Sequence, residues 1–340
     1  MTATLLLAPF PRRVADILDA DDLARLAALG RLVVHEGAAL ADATFDELAP
    51  TLTMVIGQVD LPAVRLERAP RLRAVFNVEG NFLPNIDYDR ALRGGVRVLS
   101  ISPVFAEPVA EAALGMAIDL ARGLSRADRR FREGREQYGL AANRDAYSLH
   151  GQDIGFIGFG DLGRAIVALL GGFGARLRAF DPWLPAEHIA RFGCEAASLD
   201  TVLRTSQVIF VVAGATSQNQ GFLDAASFAA MRPGASLVLV SRAGVVDFEA
   251  MLDAAASGRI RVATDVFPEE PLAAGHRARG IEGVLLSPHQ AGALDGALRR
   301  IGKLVVADAE LIARGLPPVM CKVAQPETVA LFRSRPVSRS

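Results

Sequence analysis

The pattern that most constrains this 340-residue chain is the alternation of short apolar runs with longer amphipathic stretches. The runs Leu5 to Leu7, Leu32 to Val34, Met54 to Ile56, Ala74 to Phe76 and Arg97 to Leu99 have the length of strands. None alternates apolar with polar residues, as a strand open to water on one face would. Strands covered on both faces read this way, and the covering elements are helices that return the chain between parallel strands. A helical stretch from Val14 to Leu29 separates the first two runs, with Ile17, Leu18, Leu23, Leu26 and Leu29 at helical spacing. After Ser102-Pro103 a long helix opens near Pro108 and runs to about Arg122. A second series of strands then begins: Ile154 to Ile157, Arg176 to Phe180, Val208 to Val212, Ser236 to Val240, Arg261 to Thr264 and Val284 to Leu286. A last long helix is expected from Leu294 to Arg314. The Arg- and Ser-rich segment Arg333 to Ser340 is expected to be mobile.

Composition narrows the function classes. Hydrophobic residues are 51% and charged residues 22% of the chain, enough apolar material for packed cores. The net charge is -1, so there is no basic surplus to hold a phosphate backbone, and nucleic acid is not expected as a partner. The longest apolar runs fall far short of the roughly 20 residues that span a bilayer, and no targeting segment is visible. A soluble cytoplasmic protein is the expectation. Cys194 and Cys321 are too few for a disulfide framework, and no metal-ligand spacing occurs. With five histidines, any catalytic imidazole comes from a short list.

Gly158-Phe159-Gly160-Asp161-Leu162-Gly163 is the sharpest motif. In a chain with 31 glycines, this spacing arises by chance about 0.25 times, so its context decides its meaning. An apolar strand leads in, an apolar-striped helix leads out, and Asp181 stands at the end of the next strand. Glycines permit a tight turn and close backbone approach, a helix N-terminus faces a pyrophosphate, and a carboxylate accepts from ribose hydroxyls. Asp181 would repel a 2′-phosphate, which favours NAD over NADP. A ligand-free glycine turn, or a site for a nucleoside cofactor such as S-adenosylmethionine, fits the same motif.

Three polar segments follow later strands of this series. Ser241-Arg242-Ala243-Gly244 places an arginine where a carboxylate could be captured, although a lone arginine is as easily a surface residue. Asp265-Val266-Phe267-Pro268-Glu269-Glu270-Pro271 ends the next strand and could equally be a solvated acidic loop. Ser287-Pro288-His289-Gln290-Ala291-Gly292 puts a histidine at the end of the last. His35, His150, His188 and His276 have no such strand-end setting.

Together with Asn85-Ile86-Asp87, Val109-Ala110-Glu111 and Met231-Arg232-Pro233-Gly234-Ala235, these segments give a chain that resembles the NAD-dependent D-isomer-specific 2-hydroxyacid dehydrogenases over nearly its whole length. The resemblance implies a Rossmann-type doubly wound parallel sheet domain, residues 103–293, inserted in a smaller flavodoxin-like α/β domain. That smaller, substrate-binding domain would be residues 1–102 completed by 294–340, with the two long helices crossing between the domains. It implies hydride transfer between NAD(H) and a small 2-keto or 2-hydroxy acid. Arg242 would bind the carboxylate and carbonyl, and His289 would be the acid/base. Glu270 would pair with the histidine and favour its imidazolium form, so that Glu270→Gln shifts the pH profile. Gly158, Gly160, Asp161, Leu162, Gly163 and Asp181 would hold the dinucleotide, Asp265 would meet the nicotinamide carboxamide, and Gly80 and Asn81 would hold the substrate carboxylate. A homodimer built on the region Val104 to Arg122 is implied too.

The chain departs from the family pattern in places. Gln290 and the Leu294-Asp295 pair are unusual where they stand. Phe82 replaces the second glycine of the substrate loop, and its ring could narrow or line the substrate pocket. Glu79 adds a carboxylate that would disfavour a second anionic group on the substrate, or else points to solvent. An NAD(H)-sensing regulatory protein with little turnover would share the fold and the three strand-end residues.

Overall fold

The computed structural model describes residues 3–331. The segment Arg333 to Ser340, expected to be mobile, lies outside the described residues. The chain separates into two units, one of residues 3–105 with 293–331 and the other Ala106–Gly292.

The first unit contains six strands: β1 (Thr4–Ala8), β2 (Arg31–Val34), β3 (Leu52–Gly57), β4 (Ala74–Asn77), β5 (Arg97–Ser100) and, near the end of the chain, β13 (Lys322–Val323). Their order is β13-β5-β4-β3-β1-β2, and all are parallel except β13, which runs antiparallel to β5. Without β13 this is the flavodoxin-like order. Every residue of β1, β3 and β4 is buried, which accounts for the missing alternation in the sequence. One face of the sheet packs Leu5, Leu7, Met54 and Phe76 against Ile301, Val305 and Ile312 of the helix Asp295–Ala313. The other packs Leu6, Val55 and Val75 against Phe45, Leu66 and Phe82.

The helix expected over Val14 to Leu29 is two helices, Val14–Ile17 and Ala20–Ala28. Asp19 explains the break. Its carboxylate accepts the Asp22 N–H at 2.8 Å while Asp22 accepts the Asp19 N–H at 3.2 Å, a reciprocal cap that starts a new helix. Buried Asp22 also receives Lys303 Nζ at 2.9 Å from the helix Asp295–Ala313. That helix comes so close that a Cβ on Gly302 would lie 2.5 Å from Ile17 O and 2.5 Å from Asp22 Oδ2. The short antiparallel β13 has its own device. Buried Asp308 accepts the backbone N–H of Val319 at 2.7 Å, Met320 at 3.0 Å and Cys321 at 2.7 Å, which delivers Lys322–Val323 to the sheet edge.

The second unit holds seven parallel strands: β6 (Asp153–Ile157), β7 (Arg176–Phe180), β8 (Glu195–Ala196), β9 (Val208–Val211), β10 (Ser236–Leu239), β11 (Arg261–Thr264) and β12 (Val284–Leu286). Their order, β12-β11-β10-β9-β6-β7-β8, is the Rossmann order with one strand added at the end. It reverses direction between β6 and β9, where a crevice forms at the carboxyl ends of the strands. The helix Ala106–Arg122 belongs to this unit. Its Leu120 carbonyl accepts Arg261 Nη1 at 2.9 Å, a cation at the negative end of the helix. No helix among the described residues is long and apolar enough to cross a membrane. Both cysteines are free and buried, and burial pushes the Cys194 thiol up to about 12.

At the start of β6, Asp153 accepts Arg176 Nη2 at 2.6 Å and Arg178 Nη1 at 2.8 Å, and these bonds hold its carboxyl at about 2. A depressed carboxyl stabilises the fold above its unfolded value of roughly 4 and loses that effect as the pH falls through 2. Asp153→Asn should therefore cost about 1 kcal/mol at pH 7, a figure discounted for the exposed partner Arg176. In urea titrations the difference from the parent should shrink between about pH 4 and pH 2.

Candidate active site

The residues singled out in the second unit gather at the carboxyl ends of its strands. Directly after β6, Gly158 has φ 84°, and a Cβ there would lie 2.5 Å from the Cα of Ala213, just beyond β9. The turn thus sits where the sheet reverses and can only be glycine. Gly160, φ -77°, caps the helix Asp161–Leu169, and a Cβ there would meet no protein atom within 4 Å. Nothing in the protein itself requires that glycine. Gly163 faces Phe159 and Val212, with Cβ distances of 3.3 Å and 3.6 Å, so its small size serves helix–strand packing. One glycine for the turn, one facing open space and one for packing is the division a dinucleotide pyrophosphate requires. NAD therefore fits the residues present.

Asp161 lies in the first helical turn, where its charge is matched by Arg164, and Leu162 is half-buried beside it. Asp181 ends β7 and shapes the glycine turn directly. Its Oδ2 accepts the Phe159 N–H at 2.7 Å and its Oδ1 accepts the Trp183 N–H at 2.9 Å. The carboxylate stays half-buried, with acceptor capacity left for a hydroxyl pair.

Strands β10, β11 and β12 are neighbours with Leu239, Thr264 and Leu286 in register, so the segments that follow them leave the sheet side by side. Arg242 follows β10 and donates from Nη1 to Ser241 O at 2.7 Å. Glu270, beyond β11, accepts the Phe267 N–H at 2.9 Å with Oε1 and contacts His289 Nδ1 at 2.6 Å with Oε2. A carboxylate only accepts, so Nδ1 carries the proton of this bond and Nε2 is left for other chemistry. The two side chains remain 40% and 36% exposed, within reach of a substrate. His289 has φ 51°, the one non-glycine residue with positive φ among the described residues. That left-handed conformation costs about 1–2 kcal/mol.

Asp265 is buried, with both oxygens turned to the loop that carries His289. Sequence reasoning missed this because the partners lie 22 to 26 residues away on another strand end.

In the first unit, Gly80 and Asn81 lie on the segment after β4, and one expectation beside them needs correction. Glu79 does not point to solvent. It is 2% exposed and its Oε2 lies 3.3 Å from Arg12 Nη2, while Arg12 Nε donates to Val78 O at 3.0 Å. Its negative charge is therefore met by an arginine, and the argument that it repels a second anion falls away. Phe82 is buried in the core of the first unit, edge-on to Tyr88 at 6.4 Å between ring centroids. Three of the other four histidines are engaged elsewhere: His35 bonds Ala39 O at 3.1 Å, His276 caps a turn through the Ala278 N–H at 3.2 Å, and His188 packs on Phe192.

A glycine turn at the Rossmann crevice, an acid after the second strand and a carboxylate-oriented histidine define a dinucleotide-dependent oxidoreductase. Comparison with known proteins makes the class specific. The family model described as the NAD-binding domain of D-isomer-specific 2-hydroxyacid dehydrogenases matches residues 114–291, and the chain belongs to that family. It is similar to a glyoxylate reductase of Pyrococcus furiosus, 30% identical over 79% of this chain and 81% of that protein. A hydroxypyruvate reductase of Thermotoga maritima is 29% identical over 74% of this chain and 84% of its own length. Among solved structures, a phosphoglycerate oxidoreductase from Rhizobium etli is 44% identical and superposes with a TM-score of 0.87, covering 96% of this chain and all of that one. The protein is an NAD-dependent D-2-hydroxyacid dehydrogenase.

The two turn glycines give separable outcomes. Gly158→Ala should lower both the melting temperature and NADH affinity, since the Cβ meets backbone. Gly160→Ala should leave the melting temperature within about 2 °C while weakening NADH at least roughly tenfold by isothermal titration. Unchanged NADH affinity in the second variant would remove the pyrophosphate from that position.

Proposed function

We propose that the protein reduces a small 2-keto acid to the D-2-hydroxy acid, with Arg242 binding the carboxylate and carbonyl and His289 as the acid/base. The observation that carries this reading is the 2.6 Å bond between Glu270 and His289, which leaves Nε2 as the group that exchanges a proton with substrate. Bound NADH supplies the hydride that reaches the 2-carbon. As charge grows on the substrate oxygen, Arg242 offers fixed positive charge and His289 delivers a proton from Nε2. Glu270, itself held by the Phe267 N–H, accepts from Nδ1 and fixes the ring. Gly80 and Asn81 are assigned to the substrate carboxylate through backbone N–H groups. Asp181 is assigned to the ribose hydroxyls, where a 2′-phosphate would meet its charge.

The relatives bear names that point to glyoxylate, hydroxypyruvate and phosphoglycerate. A panel of glyoxylate, hydroxypyruvate, pyruvate and bulkier apolar 2-keto acids, with NADH and NADPH side by side, tests the reading. Turnover of at least one keto acid is expected, and binding of NADH without turnover would instead indicate a sensor.

His289→Gln should lower kcat/KM by on the order of 1000-fold. Near-normal reduction by this variant would overturn the assignment. Asp181→Ala should narrow the preference for NADH over NADPH by about tenfold or more, and an unchanged ratio would count against its role.

A homodimer is part of the proposal. The segment after the helix Ala106–Arg122 exposes the large apolar side chains Leu124, Phe131, Tyr138 and Leu140, which a second copy would cover. Analytical ultracentrifugation should give twice the chain mass, and Phe131→Glu with Leu140→Glu should give the monomer.

A further inference from the structure

We infer that Asp265 is a positioning residue for the acid/base: it clamps the loop that carries His289 and so holds the imidazole in its working place. The inference rests on the dehydrogenase reading for its consequence in turnover, but the clamp itself is a matter of geometry. Asp265 follows β11, is 2% exposed, and directs three of its roughly four acceptor positions at one short loop. Its Oδ1 accepts the Ser287 hydroxyl and the Gln290 N–H, the latter at 3.0 Å, and its Oδ2 accepts the Ala291 N–H at 3.1 Å. These partners stand on both sides of His289.

The loop needs such a clamp. His289 carries a left-handed backbone that side chains avoid, and the loop's own tie is the bond from His289 N–H to Ser287 O at 3.1 Å. Released, residue 289 would relax towards negative φ, and its ring would swing away from Glu270. The carboxylate anchors the residues before and after the histidine at once, so the strained conformation is the one that satisfies the flanking N–H groups. Gln290 takes part through its backbone N–H, so the unusual side chain there leaves the clamp intact. Asp265 would then work mainly through His289, and at most one acceptor position is left for a carboxamide N–H.

The two roles separate with a cofactor analogue. Reduced 3-acetylpyridine adenine dinucleotide carries a methyl ketone in place of the carboxamide and has no N–H to donate. Asp265→Asn keeps one acceptor but turns an amine towards the Ala291 N–H, and Ser287→Ala removes one donor with little risk to folding. Both variants and the parent are assayed with NADH and with the analogue, and backbone amide exchange is read at Gln290 and Ala291. Asp265→Asn should lower kcat on the order of 30-fold by the same factor with both cofactors, with NADH affinity and keto-acid KM changed by less than about threefold. Amide exchange at residues 290 and 291 should accelerate, and Ser287→Ala should show a smaller loss of kcat in the same direction. A penalty that vanishes with the analogue would make Asp265 a carboxamide partner and overturn the inference. Unchanged exchange at Gln290 and Ala291 in Asp265→Asn would also overturn it. If the parent reduced no 2-keto acid, the functional reading would fail, yet the exchange measurement would still decide the clamp. Should Asp265→Asn fail to fold, Ser287→Ala with unaltered exchange and kcat would count against it.

Discussion

A parallel sheet sends the carboxyl end of every strand to the same edge, and the chemistry of this protein depends on that constraint. Each strand of the second unit must leave the sheet at that edge before the chain returns. Gly158, Asp181, Arg242, Asp265, Glu270 and His289 are scattered over 132 positions of sequence, yet each follows a strand of one sheet. The reversal of strand order between β6 and β9 opens the crevice where the glycine turn lies against Ala213.

The sheet sets coarse position, and carboxylates set fine position. Asp181 holds the N–H groups of Phe159 and Trp183, Asp308 those of Val319 to Cys321, and Asp265 those of Gln290 and Ala291. In each case a short segment without regular structure has N–H groups that no ladder satisfies, and an acid with several acceptor positions collects them. Glu270 does the same on a smaller scale, with one oxygen on the Phe267 N–H and the other on the imidazole. Accepting from several donors at once makes these acids clamps that tie irregular segments to the regular elements beside them.

Much of this was legible in sequence for identifiable reasons. Strands such as Thr4–Ala8, Ala74–Asn77 and Val208–Val211 coincide with their apolar runs because full burial demands unbroken apolar character. The glycine turn was legible because backbone geometry forbids a side chain at Gly158. Other features were not. The two-residue strands Glu195–Ala196 and Lys322–Val323 are too short for any periodicity, and the second is placed by Asp308. The break between Ile17 and Ala20 hid within an apolar stripe that continues across it, although Asp19 and Asp22 carried the capping signal. Glu79 was misread because its setting depends on Arg12, 67 residues away, and a contact so distant in sequence leaves no mark in local pattern.

Local physics, then, let the sequence alone determine the class of fold, the dinucleotide turn and the short roster of strand-end residues. Helix and strand periods, glycine sterics and charge are properties of neighbouring residues, and they can be read without knowing the fold. The tertiary structure decided which acids are buried, which loop each one grips, and that His289 is held in a left-handed conformation beside Glu270. Those outcomes arise from groups brought together over long stretches of chain, where burial and hydrogen-bond satisfaction are settled only when the sheets have formed.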